Sequence, residues 1–184
     1  MNIEEIISKK NLDPNKLRLS IGSGDERFSN CINLELPSNN GDSGVDADIF
    51  GDITKGIPEI PKDTFNEIFL IHVIEHIERK FHQFVFDEIW RLLKSDGRLI
   101  LSYPEFIEIA KGFIENKHGA RWSVYNLTIY GANRRNGDVH VTAAERSDLM
   151  EKLFNSGFKD LKYTLNNINA TLIAYKGVKL NGYI

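Results

Sequence analysis

The stretch Phe65-Asn66-Glu67-Ile68-Phe69-Leu70-Ile71 constrains the fold more than any other part of the chain. It is a short, nearly continuous apolar run, and such a run suits a strand buried on both faces of a parallel sheet. Neighbouring parallel strands must be joined by crossovers, usually helices. The flanking sequence supplies one. Phe81, Phe84, Val85, Ile89, Leu92 and Leu93 recur at three- and four-residue intervals and give a helix one apolar face. Asp96-Gly97 ends that helix, and Arg98 to Tyr103 reads as the next strand, closed by Pro104.

The rest of the chain follows the same alternation. Residues 2–10 suit a short helix stopped near Pro14. Leu17 to Ile21 reads as a strand running into a tight turn at Gly22, and Cys31 to Leu36 as a second strand. Residues 37–47 are turn-formers, and a short strand near Asp48–Ile53 follows. Beyond the fifth strand, residues 105–116 look helical. Residues 117–140 show little periodicity and read as a long loop, the kind that often serves as a lid. Thr142-Ala143-Ala144-Glu145 fits a capping box before a helix carrying Leu149, Met150, Leu153 and Phe154, with Gly157 at its end. Strands at about 159–166 and 169–176, joined by a turn around Asn166-Asn167, make a terminal hairpin. The expected class is α/β: a Rossmann-like, mostly parallel sheet with helices on both faces and a C-terminal antiparallel hairpin.

The 184 residues fit one domain spanning 1–184, with 1–16 as an N-terminal helix and linker and 117–140 as a substrate lid. A formal charge of −3 disfavours nonspecific nucleic-acid binding. No stretch approaches the roughly 18 apolar residues needed to span a bilayer. The N-terminus lacks the apolar core of a signal peptide. Cys31 is the sole cysteine, so no internal disulfide is possible, and a cytoplasmic setting is expected. Oligomeric state is not legible.

In an open parallel sheet, ligands bind beyond the carboxyl ends of the strands. The first strand ends in Gly22-Ser23-Gly24, a turn that lets backbone approach a ligand. The second ends in Asn33-Leu34-Glu35, where a carboxylate can accept two hydrogen bonds from a ribose diol. The third ends in Asp52-Ile53, where an aspartate can accept from an adenine amino group beside an apolar neighbour. Each has a plainer reading: a surface turn, an exposed glutamate, and a helix-capping or turn aspartate. Their order, each at a strand end, is more specific than any one alone.

With the Ile68–Ile77 segment, Arg91–Leu99, and Tyr103-Pro104-Glu105-Phe106 added, the chain resembles the class I S-adenosylmethionine-dependent methyltransferases. It is most similar to the small bacterial type found beside glycan-biosynthesis enzymes. Ile129-Tyr130-Gly131 and Asp138-Val139-His140 extend the likeness, which spans roughly residues 17–176. The resemblance implies S-adenosylmethionine as cofactor. Gly22, Ser23 and Gly24 would line its methionine part, Glu35 would hold the ribose, Asp52 and Ile53 would flank the adenine, and His72 would face it. The sequence also departs from the family. Residues 22–30 are too few for an ordinary crossover helix. Glu26 replaces a third glycine, and Ser95-Asp96-Gly97 replaces Pro-Gly-Gly.

Three rivals remain open. His72, Glu75 and His76 match the inverted zinc-hydrolase pattern. However, His72 follows directly on a strand and no third ligand is marked, so no metal is expected. A nicotinamide dehydrogenase needs a glycine where Arg27 stands, and an acidic residue farther on than Glu35. A non-catalytic binder with the same fold is the third, because fold does not fix function. Under the leading reading, His140 is the expected proton acceptor for a hydroxyl substrate. Tyr103 and Glu105 are expected to line the acceptor pocket, and Arg134 and Arg135 to meet an anionic group. The missing Asp-Pro-Pro-Tyr type motif argues against base methylation and for a small molecule or sugar intermediate. The acceptor atom (oxygen, nitrogen or carbon) is not legible.

Overall fold

The computed structural model describes residues 3–22, 24, 28, 30–37, 47–117, 122–132 and 138–178. Seven strands form one sheet in the order β3-β2-β1-β4-β5-β7-β6. They are β1 (Arg18–Ile21), β2 (Ile32–Glu35), β3 (Ile49–Phe50), β4 (Phe65–Ile71), β5 (Leu93–Pro104), β6 (Phe158–Asn166) and β7 (Asn169–Lys176). The first five pair in parallel, and β7 pairs antiparallel with both β5 and β6. Among the described residues five α-helices accompany them: α1 (Ile3–Lys10), α2 (His82–Leu92), α3 (Phe106–Ile114), α4 (Trp122–Tyr130) and α5 (Arg146–Asn155). This is the Rossmann-like α/β class with a terminal hairpin. Among the described residues no helix is long and apolar enough to cross a membrane.

Register explains where the core sits. Leu19, Ile68, Leu99 and Ala174 lie side by side across four strands, and Ile21, Leu70, Leu101 and Leu172 form the next row. All eight are buried and join one cluster with Val85, Phe86, Ile89 and Leu92 of α2 and Leu149 and Leu153 of α5. The alternate residues make a thinner face. There Arg18, Glu67 and Arg98 form a row in which both arginines pair with the one carboxylate. Phe69, Ile100 and Ile173 beside them are only partly buried. The described residues between β1 and β2 include no helix that would cover this face. At the sheet margin α1 is held by Lys10, which donates to the Cys31 carbonyl and pairs with Asp48 at 2.6 Å.

The structure corrects three local expectations. The helix before β5 does not end at Asp96-Gly97. It stops at Leu92, Leu93 already begins the strand, and Asp96-Gly97 lies within an irregularity of the β4–β5 ladder. The stretch 117–140 is not a continuous loop, because α4 occupies its middle. Apolar residues surround α4 and leave no single stripe for periodicity to find. Tyr125 is buried against α3, its ring edge-on to Phe113 and its hydroxyl donating to the Lys117 carbonyl, while Leu127 and Tyr130 are exposed. Finally, Thr142 does not cap α5. Glu145 does, accepting from the Ser147 and Asp148 amides, and Thr142 instead donates its hydroxyl proton to the Ile77 carbonyl.

Glu145→Ala should therefore lower stability by about 0.5–2 kcal/mol, the ordinary loss for an N-cap. Urea unfolding of the two proteins reads it directly. An unchanged midpoint would mean the cap carries no weight.

Candidate functional site

The carboxyl ends of β1, β2 and β4 meet at one edge of the sheet. Gly22 leaves β1 at φ +67, and a side chain there would strike Val73 at 2.7 Å, so the turn requires glycine on both counts. The Gly22 amide donates to the Leu34 carbonyl, which ties the turn to β2. At the end of β2, Glu35 accepts from the Gly24 amide at 2.7 Å. The structure thus joins two of the residues expected to hold a cofactor: the β1 turn and the β2 carboxylate. Ser23 lies outside the described residues.

Asp52 fills the plainer capping role that the sequence also allowed, which by itself does not decide its part in a cofactor site. It caps a 3-10 turn (Ile53–Lys55), accepting from the Thr54 amide and hydroxyl and pairing with Lys55 at 3.1 Å. Its own burial opposes ionisation, but the hydrogen bonds from Thr54 and Lys55 prevail and hold its carboxyl below the usual range. Ile53 is buried in the core.

Tyr103 and Glu105 are both buried, 0% and 3% exposed, and bonded to each other at 3.1 Å. They do not line the open cleft. Burial pushes both groups toward their neutral forms, and for Tyr103 the Glu105 charge adds to the effect. Glu105 Oε1 is buried without a hydrogen-bond partner. These two residues follow the fifth strand, as the sequence indicated. Tyr103, however, continues the buried alternation of Leu99 and Leu101 along β5.

A small cleft runs beside α3 and α4, lined by Pro104, Phe106, Ile109, Thr128, Ile129 and His140. His140 is fixed at three points. Its amide donates to the Tyr130 carbonyl, its Nδ1 lies 2.8 Å from the Thr128 carbonyl, and its ring sits edge-on to His76 with centroids 4.8 Å apart. A carbonyl only accepts, so Nδ1 carries the proton and Nε2 keeps the lone pair. Gly131 permits this packing. It has φ +82, and a Cβ there would meet the Asp138 carbonyl at 2.7 Å and the His140 amide at 3.0 Å.

Facing His140, the segment after β4 makes a sharp turn. His72 has φ +53, its amide donates to the Ser102 carbonyl, and its Nδ1 lies 3.2 Å from Glu75 Oε1. A 3-10 turn (Ile74–His76) follows. The Glu75 carbonyl accepts from both the Val141 and Thr142 amides, and His76 Nδ1 lies 3.0 Å from the Val139 carbonyl. His72 and His76 therefore do not share one regular helix, as the sequence expectation held. The signal that sequence reasoning missed is the partnership of His76 with His140, which lie far apart in the chain. Arg134 and Arg135 lie outside the described residues.

Residues 20–101 match the family model described as a methyltransferase domain. A sequence comparison with curated proteins finds no match. Among solved structures, a S-adenosylmethionine-dependent methyltransferase from Archaeoglobus fulgidus superposes with a TM-score of 0.59 at 12% identity, over 94% of this chain and 90% of that one. Another such methyltransferase, from Methanosarcina mazei, gives 0.59 at 13% identity, over 97% and 100%. A possible exported protein from Bordetella parapertussis gives 0.60 at 13% identity, over 95% of this chain but 65% of that one. At these identities the likeness is one of fold.

The buried acid makes a test of the site's surroundings. Glu105 has a raised pKa in the folded protein, so the stability tied to its neutral form is complete below its unfolded pKa and is lost as pH rises through the folded value. Glu105→Gln keeps an acceptor for Tyr103 and removes the titration. Thermal unfolding of both proteins from about pH 4 to about pH 8 should show the variant gaining on the wild type as pH rises. A constant difference would contradict the assignment.

Proposed function

We propose that this chain, which matches a methyltransferase domain over residues 20–101 and shares its fold with S-adenosylmethionine-dependent methyltransferases, transfers a methyl group from S-adenosylmethionine to a small-molecule or sugar-intermediate acceptor. The observation that carries the reading is the junction of the Gly22–Gly24 turn with Glu35 at the carboxyl edge of the sheet, inside the matched segment. A carboxylate held at this edge by a backbone amide can accept from a ribose diol, and a glycine turn lets backbone approach the methionine portion. His72 lies next to this edge, and Asp52 and Ile53 complete the adenine end.

The sulfonium methyl is already activated, so the protein's task is alignment and, for a hydroxyl acceptor, removal of a proton. The cleft beside α3 and α4 receives the acceptor, and His140 Nε2, with its lone pair set by the Thr128 carbonyl, serves the proton transfer. With a hydroxyl acceptor, the cofactor would supply the methyl to oxygen, its sulfur keeping the bonding pair, and His140 would take the hydroxyl proton and pass it to solvent. Tyr103 and Glu105 support the cleft from within the core. Arg134 and Arg135 are proposed to meet an anionic acceptor group.

Calorimetric titration should show S-adenosylmethionine binding and no NAD binding. Glu35→Ala should weaken the cofactor by about 1.5–3 kcal/mol, the usual range for a hydrogen bond to a charged group. Tight NAD binding without an S-adenosylmethionine signal would overturn the reading.

His140→Ala should leave cofactor affinity nearly intact and cut methyl transfer by roughly 100-fold or more. A metabolite screen for methyl acceptance identifies the substrate on which to measure it. Cofactor binding with no turnover on any acceptor would instead favour a non-catalytic binder. Wild-type rates in the variant would leave His140 only a structural part.

A further inference from the structure

Beside the cofactor edge, three side chains converge in a way that methyl transfer alone does not require. One carboxylate oxygen of Glu75 and one ring nitrogen each of His76 and His140 all lie within 4.8 Å of one another. Glu75 is 1% exposed. His72 lies 3.2 Å from its Oε1, while its Oε2 is buried with no hydrogen-bond partner. A carboxylate oxygen in that state lacks the compensation that buried polar atoms ordinarily have. The two histidines are set alike. Each places Nδ1 against a backbone carbonyl, Val139 at 3.0 Å and Thr128 at 2.8 Å, so each Nδ1 donates and each Nε2 retains its lone pair. Metal-ligating histidines are oriented in this same way by a carbonyl on the opposite ring nitrogen.

We propose that Glu75, His76 and His140 bind one divalent transition-metal cation, of the zinc, cobalt or manganese kind. Two imidazoles and a carboxylate favour such ions over magnesium and calcium, which prefer sets made of oxygen alone. Bonds of about 2.0–2.2 Å to each ligand bring the three atoms somewhat closer than they now stand. Small side-chain rotations supply this, because the backbone around them is already pinned. Val141 and Thr142 hold the Glu75 carbonyl, the Thr142 hydroxyl holds the Ile77 carbonyl, and the His140 amide holds Tyr130. The sequence expectation of no metal considered His72 with His76. The ligand pair is instead His76 with His140, and His72 positions Glu75.

The site deepens the proposed function and rests on it for its chemical use. Three protein ligands leave coordination positions open toward the cleft that His140 lines. An acceptor hydroxyl bound there loses its proton more readily, as water does on a metal. His140 would then act on the acceptor through the cation, with its Nε2 lone pair engaged as a ligand. The released proton passes to solvent, and the methyl transfer proceeds as before.

The test reads metal first and activity second. Protein stripped with EDTA and freed of the chelator is titrated with cobalt(II), followed by visible absorption, and with zinc(II) and magnesium, followed by calorimetry. Cobalt and zinc should each bind at one equivalent, with magnesium far weaker. His76→Ala and His140→Ala should each lower cobalt affinity by more than about 100-fold, since even residues that only orient ligands carry about 10–100-fold. Glu75→Gln, nearly identical in shape, gives the same answer if an alanine variant fails to fold. No stoichiometric cobalt or zinc binding by the wild type would overturn the proposal, as would binding unchanged in His140→Ala and Glu75→Gln. If no cation binds yet His140→Ala abolishes transfer, direct proton abstraction stands and the metal site falls. If a cation binds to a protein that ignores S-adenosylmethionine, the metal site stands and the methyltransferase reading falls.

Discussion

Everything at the functional edge depends on the buried central ladder. The rows Leu19–Ile68–Leu99–Ala174 and Ile21–Leu70–Leu101–Leu172 fix β1, β4, β5 and β7 in one register, with α2 and α5 against them. A slip of one residue would turn every one of these side chains to the opposite face, so the register is strongly specified. With it fixed, the carboxyl ends of β1, β2 and β4 must finish together. The turn at Gly22, the Glu35 carboxylate and the bend at His72 then fall at one edge without further design.

A second constraint is local and made of backbone. The Glu75 carbonyl receives two amides from Val141 and Thr142, which locks the segment after β4 to the segment before α5. That segment is in turn bonded to the end of α4 through His140 and Tyr130, with Gly131 giving the clearance. The result sets two imidazoles and a buried carboxylate beside a cleft, the carboxylate against His72 and each imidazole oriented by a main-chain carbonyl. Such groups hold orientation well because they are part of the pinned backbone rather than of mobile side chains. This rigidity suits either proton transfer or metal ligation, both of which need the ring nitrogens aimed within narrow limits.

The thinner face of the sheet follows from the short connection after β1. Where a crossover helix would ordinarily lie, the described residues show a turn and Phe28, stacked on Phe69 at 5.2 Å. The Arg18–Glu67–Arg98 row beside it shows how the sheet meets partial exposure, by placing paired charges where a covered face would carry aliphatic residues.

The sequence by itself determined the α/β class, the order of the strands, and the residues at the strand ends, because apolar runs and glycine turns are local signals. Phe65–Ile71 is a strand with the limits its apolar run implied. It also determined that the Gly22 turn and Glu35 stand at strand ends. Tertiary structure alone decided which of those residues face a cleft. It buried Glu105 just beyond β5, where the segment at Ala144 covers the end of the strand and alternation no longer tells inside from outside. It turned the featureless stretch around Tyr125 into α4, whose stability comes from packing on α3 rather than from an amphipathic pattern. And it brought His140 to Glu75 and His76 across most of the fold, a meeting that no spacing in the chain encodes, because it is made by long-range hydrogen bonds between turns.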